Sequence, residues 1–376
     1  MFLGVIVLQT VPLPTSVLGV LSPRALLMRQ ESARLLSTVS PAVAPLSFYS
    51  WATVQQLMQY MLVAGLFLAA MNILTTKRQF DRLLKLIIGC GLCISLYGLG
   101  KKYLFPASEA KLVFATFANK NHFAAYMLMI APMGVGYALY YKKGLVKLAF
   151  ILAAVFICAS IFFSLSRAGS ISLIVSLFVF FMLLSKETRH DNRLVLGGFG
   201  ILTLLFVLAG GAEILQERFT ALVVRKEWHS RWAVYAYALR IVRDFPFFGV
   251  GMGNFNSVFT VYKQFILDNT YFFYAHNDHL QLLVEAGIIG AGFYYAFLIT
   301  VFKDIIVQLR TRRDEFARTV LPALVSGLIG VLIHSFFDFH FHVPAVSVLF
   351  WLLVGVLYKG VYTHFRLPHD HVRTLQ

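Results

Sequence analysis

Apolar runs near the length of a membrane span alternate along this chain with short polar segments rich in lysine and arginine. The runs Leu57 to Leu74, Leu83 to Leu99, His122 to Tyr140, Leu145 to Phe163, Ser170 to Leu184, Leu194 to Gly210, Leu282 to Phe302, Val320 to Phe337 and Val343 to Tyr362 each approach what a helix needs to cross a hydrocarbon core. The opening stretch Met1 to Val20 is also apolar, although Pro12 and Pro14 interrupt it, and its first charge is Arg24. A cleavable signal peptide is not expected, because the basic leading region is missing. Counting the opening stretch, the pattern predicts an all-α fold, a polytopic membrane bundle of about ten transmembrane helices forming a single integral membrane domain over residues 1–376.

One long polar interval breaks the alternation, and residues 211–281 are expected to form a large extracytoplasmic loop. Within it Trp228, Trp232, Tyr235, Leu239 and Val242 recur at helical spacing, which predicts an amphipathic helix with an apolar stripe for the membrane surface or for other helices. Asp244-Phe245-Pro246 ends that helix, and the glycines of Gly249-Val250-Gly251-Met252-Gly253 read as a sharp turn. They do not read as a dinucleotide fingerprint, because no βαβ unit surrounds them. The loop returns to the membrane through Tyr274 to Gly290, where Leu280, Leu283, Val284 and Ile288 recur at helical spacing. Asn277 or Asp278 can cap this helix, which leaves His276 at its mouth. Gly287 and Gly290 lie one turn apart, a spacing that admits a second helix.

Composition confirms the class. The chain has 376 residues, of which 59% are hydrophobic and 13% charged, and its mean hydropathy is +0.74. A formal charge of +16 could suggest nucleic acid, but the basic residues sit in short clusters between apolar runs, where topology and anionic lipid require them. With Met1 on the cytoplasmic side, the short inner segments gather Lys77, Arg78, Arg82, Lys142, Lys143, Arg310, Arg312 and Arg313, and His276 faces outward. Cys90, Cys93 and Cys158 fall inside apolar runs as packing residues and supply neither a disulfide framework nor a zinc site.

Four places could carry chemistry. A neutral imidazole at a helix mouth, His276, can accept a proton. Arg167, at the outer junction of two membrane helices, is a charge that needs a ligand or a partner. The loop arginines Arg225, Arg231, Arg240 and Arg243, with Lys226, run against the usual charge preference of an exported loop and offer either headgroup contacts or an anion-binding surface. In His334-Ser335-Phe336-Phe337-Asp338-Phe339-His340-Phe341-His342, His334 and Asp338 would share one helical face, but the spacing matches no metal cage, so hydrogen bonding is the better reading.

These residues resemble the O-antigen ligase family of integral membrane glycosyltransferases, which includes lipopolysaccharide ligases, polysaccharide polymerases and protein O-oligosaccharyltransferases. The family pattern at the return from the outer loop is similar to His276-Asn277, nine residues, then Gly287-Ile288-Ile289-Gly290. Phe117-Ala118-Asn119-Lys120-Asn121-His122-Phe123-Ala124, Ser166-Arg167-Ala168-Gly169 and Arg231-Trp232 leading to Pro246-Phe247-Phe248-Gly249-Val250-Gly251 look like further family segments in family order. Family members commonly carry more membrane helices ahead of the counterpart of Leu8-Gln9-Thr10-Val11-Pro12, so this chain looks short at its N-terminus.

The resemblance implies an enzyme of the bacterial inner membrane that works on the periplasmic face, without a cofactor or metal. It would move a glycan from a polyprenyl diphosphate carrier to a hydroxyl of lipid A core or of another glycan or protein acceptor. It implies His276 as the catalytic proton acceptor and Arg167 and Arg231 as diphosphate ligands, with Lys120 and His334 as further substrate-binding candidates. Membrane lipid is the remaining partner, and nucleic acid is not one. A repeat-unit polymerase would use the same chemistry. A transporter or flippase of lipid-linked sugars would need no proton acceptor, but it would not need the large outer loop either, and no internal repeat is detectable.

Overall fold

The computed structural model describes residues 1–104, 115–201, 227–263 and 271–363. It is all-α apart from a two-residue antiparallel pairing of Leu13–Pro14 with Val43–Ala44. Among the described residues seven helices are long and apolar enough to cross a membrane: Ser50–Ile73, Lys77–Lys101 within Lys77–Leu104, Lys120–Tyr140, Gly144–Phe163, Asp278–Thr311, Glu315–His334 and Pro344–Tyr362. An eighth apolar helix, Arg167–Leu183, is 17 residues long. The protein is therefore a multi-pass membrane protein of helices and large loops. Residues 193–201 are helical, and the rest of the span expected to Gly210 lies outside the described residues, as do 211–226 of the loop with Arg225 and Lys226.

Two compact units divide the chain. The first comprises Met1–Gly65, Ala221–Val301 and Ser335–Phe339. Its opening stretch is not one span: it forms Phe2–Thr10 and Thr15–Leu21, of nine and seven residues, both too short to cross. Pro12 and Pro14 explain the break, since proline removes a donor and disfavours a helical conformation at the residue before it. The Phe2–Thr10 helix instead buries Gln9, whose amide Nε2 donates to Phe248 O at 2.7 Å and Glu285 O at 2.8 Å while its Oε1 accepts from Met252 N at 3.1 Å. That pairing pins the glycine turn against the later helix.

The helix Glu227–Asp244 buries Val234, Tyr237, Ala238 and Ile241 in the core of this unit, and Phe245 just after it joins them. This face lies beside the stripe the spacing suggested, of which Tyr235 and Val242 pack against the same core while Trp232 and Leu239 are 65% and 57% exposed. Two apolar faces share the helix, and only one is fully covered within the unit.

The second unit comprises Leu66–Thr220, Phe302–His334 and His340–Gln376. At its centre the Lys120–Tyr140 helix is buried from His122 to Leu139 except at Tyr126, as expected of a helix that is apolar on all sides. Small residues set its close approaches. A Cβ on Gly136 would stand 2.8 Å from Ala323, and one on Gly327 would stand 2.8 Å from Met129 O. Cys158 packs inside this unit, whereas Cys90 and Cys93, expected as packing residues, lie on an exposed helix face.

Candidate functional site

In the first unit the expected proton acceptor has a partner. His276 Nδ1 lies 2.9 Å from Asp338 Oδ1, across 62 residues of sequence. The Asp338 side chain is 1% exposed and that of His276 is 27% exposed. A buried carboxylate against Nδ1 takes its N–H, which leaves the lone pair on Nε2. Asp338 Oδ1 also accepts from Phe339 N at 3.0 Å, so the carboxylate is oriented from its own loop. The Phe339 ring meets the imidazole edge-on with 5.1 Å between centroids.

Local backbone presents the ring. His276 has φ of 52°, in the left-handed region that a side chain with a Cβ rarely adopts. Asn277 then caps the helix, its Oδ1 accepting from Leu280 N at 3.0 Å, and the first helical amide, Asp278 N, donates to Ser335 O at 2.9 Å. The helix start is thus tied to the loop that carries Asp338.

Gly287, expected to let a helix approach, is instead a break inside the Asp278–Thr311 helix, with φ 63° and ψ −175°. Its neighbour is the 246–251 turn. Ile288 N donates to Pro246 O at 2.8 Å and Gly251 N to Glu285 O at 3.0 Å, while a Cβ on Gly287 would meet the Phe247 carbonyl at 2.4 Å. Gly249, Gly251 and Gly253 all have positive φ, as a sharp turn requires.

Arg231 and Tyr235, one turn apart on the Glu227–Asp244 helix, reach the same loop. Arg231 Nη1 donates to Phe337 O at 3.3 Å, and the Tyr235 hydroxyl donates to His276 O at 2.8 Å. Burial raises the Tyr235 phenol above its ordinary range; Arg231 pulls it down, and Asp338 pushes it up. It remains a donor. His276, Asp338, Tyr235 and Arg231 therefore form one cluster. His279, by contrast, lies 2.5 Å from the Tyr295 hydroxyl and packs on Phe336.

Sequence reasoning missed the role of Tyr235 and paired Asp338 with His334 and not with His276. Asp338 does not share a helical face with His334, because the helix ends at His334 and residues 335–339 turn away. The signal for Asp338 was a carboxylate in an aromatic loop, with nothing in the spacing to name its partner.

The second unit gathers the other candidates. Lys120 and Arg167 are the first residues of their helices. Asn119 Oδ1 caps one by accepting from Asn121 N at 2.8 Å; Ser166 Oγ caps the other by accepting from Gly169 N at 3.2 Å, and it donates to Asn121 Oδ1 at 2.8 Å. A Cβ on Gly169 would stand 2.6 Å from that of Ala124, so the two helices start side by side. Each begins with a cation, where the positive end of the helix dipole disfavours one, and that arrangement suits a bound anion. Leu165, with φ of 56°, makes the turn that leads into Arg167.

His334 is fully buried beside His340, with 4.1 Å between ring centroids, and His340 Nδ1 lies 3.2 Å from His122 Nδ1. Among the described residues no group of histidine, cysteine, aspartate or glutamate is arranged to hold a metal ion.

No curated protein matches the chain. A family match covers residues 151–295, which include Arg167, Arg231, the glycine turn and the His276 motif, and its description is O-Antigen ligase. With the segments in family order and a multi-pass helical fold around them, residues 151–295 of this chain are similar to the O-antigen ligase family.

Proposed function

We propose that this protein transfers a glycan from a polyprenyl diphosphate carrier to an acceptor hydroxyl on the outer face of the bacterial inner membrane. The family match over residues 151–295 supports a ligase-type, glycan-transferring activity at the level of the family. The observation that carries the finer reading is the pair His276 Nδ1 and Asp338 Oδ1 at 2.9 Å. A hydroxyl is a weak nucleophile. His276 Nε2 accepts its proton as the oxygen attacks the anomeric carbon, while Asp338 holds the tautomer and balances the imidazolium that forms. The bond from that carbon to the carrier diphosphate breaks, and the charge on the leaving group falls to Arg167 and Arg231, whose planar guanidinium groups bind phosphate through two donors. Lys120 adds charge beside Arg167, and His334 belongs to the substrate-binding set through the buried histidines of the second unit. Residues 211–281 supply the outer loop, with lipid A core or another glycan or protein as acceptor.

A polymerase that joins repeat units would use the same groups. Deleting the gene and examining the surface glycan separates the readings. Lipid-linked polymer that accumulates without transfer is expected for a ligase. Single capped repeats would indicate a polymerase, and repeats trapped inside the cell would overturn glycan transfer in favour of a flippase.

A further inference from the structure

One cavity of the second unit has the polarity of a lipid site and belongs to neither cluster described above. It encloses about 690 Å³, within the range of small-molecule sites. Leu177, Phe178 and Phe181 of the Arg167–Leu183 helix form one wall, and Leu196 and Phe199 of the 193–201 helix form another. Arg189, His190 and Arg193 stand at one end, and among the described residues no carboxylate lines it.

That basic end lies beyond the C-terminus of the helix that Arg167 begins, at least ~25 Å from Arg167 along 17 residues, so it meets the opposite side of the bilayer. Arg189 is held in place: its Nε donates to Leu184 O at 3.1 Å and its guanidinium lies 5.0 Å from the centre of the Phe181 ring. This bond leaves the Nη groups for a ligand, poised where the apolar wall ends. Gly197 and Gly200 also line the cavity, and a Cβ on either would meet nothing within 4 Å, so the wall is open there.

Apolar helix faces in a bilayer are wetted by any lipid, whatever its headgroup. A wall that ends in two arginines and a histidine selects a headgroup as well. We propose that this cavity binds one anionic glycerophospholipid, its phosphate on Arg189 and Arg193 and an acyl chain between Phe178 and Phe181 on one side and Leu196 and Phe199 on the other.

The test uses the purified full-length protein in detergent, titrated with phosphatidylglycerol or phosphatidylcholine, with bound lipid counted by native mass spectrometry. Phosphatidylglycerol is expected to bind more tightly. A juxtamembrane arginine contributes about five-fold, so Arg189→Gln with Arg193→Gln should weaken phosphatidylglycerol about twenty-five-fold and leave phosphatidylcholine unchanged. Gly197→Leu with Gly200→Leu adds bulk in open space and keeps every charge. It should abolish the preference, and it decides the matter if the arginine variant fails to fold. Equal binding of the two lipids to the unmodified protein would overturn the proposal. So would unchanged preference in the glycine variant, displacement by glycerol phosphate as effective as by whole lipid, or tighter binding of a polyprenyl phosphate.

Discussion

Replacing Asp338 by asparagine isolates the contribution of one carboxylate charge to the proposed transfer. Asparagine keeps the shape and an oxygen that can still accept from Phe339 N, so the loop should fold as before. The negative charge beside His276 Nδ1 is lost. A hydrogen bond to a charged group contributes about 1.5–3 kcal/mol. At about 1.4 kcal/mol per factor of ten, kcat should fall about ten- to one-hundred-and-fifty-fold if that bond strengthens as the imidazolium forms. Donor binding should hold, because Asp338 acts through His276. The assay is the initial rate of transfer by purified protein across donor concentrations, together with a double-mutant cycle. His276→Ala and Asp338→Asn combined should be no slower than His276→Ala alone, since residues acting as a unit are not additive. Multiplicative losses in the double variant, or a rise in KM with kcat unchanged, would refute the role given to Asp338.

Three further outcomes are expected. Arg167→Lys and Arg231→Lys keep the charge but lose the planar fork, so each should transfer poorly at normal membrane levels, and full activity would remove that arginine from the site. A reporter active only outside the cytoplasm should be active when fused after Glu227 and silent after Arg313; the reverse would overturn the orientation read from the basic residues. Gly287→Ala must hold a Cβ at φ 63° and 2.4 Å from the Phe247 carbonyl. Strain of about 1–3 kcal/mol from that conformation and about 1–3 kcal/mol from the overlap should lower thermal stability in detergent, and an unchanged unfolding temperature would contradict the packing.

Spans such as Gly144–Phe163 and Pro344–Tyr362 were legible within a residue or two, because hydrocarbon requires length and apolarity and the sequence displays both. The His276 motif was legible as a helix start, and Asn277 does cap it. The Met1 to Val20 stretch misled because hydropathy averages over Pro12 and Pro14, whose backbone effects divide it. On the Glu227–Asp244 helix two apolar faces compete, and spacing alone does not say that Val234 and Ile241, and not Trp232 and Leu239, meet the core. Asp338 could not be assigned to His276 because only tertiary folding brings them together. The same holds for Gly287, where a turn packs, whereas at Gly290 the Phe2–Thr10 helix does approach, Val5 standing 3.4 Å from an added Cβ.

The central claim, that His276 is the proton acceptor, is tested most directly by giving purified His276→Ala protein a polyprenyl-diphosphate glycan and an acceptor and measuring donor binding and transfer together. General-base assistance contributes about a hundred- to ten-thousand-fold, so transfer should fall by that factor while donor binding stays and His279→Ala, the neighbouring control, transfers normally. Transfer by His276→Ala near the unmodified rate, or a loss explained wholly by lost donor binding, would contradict the assignment.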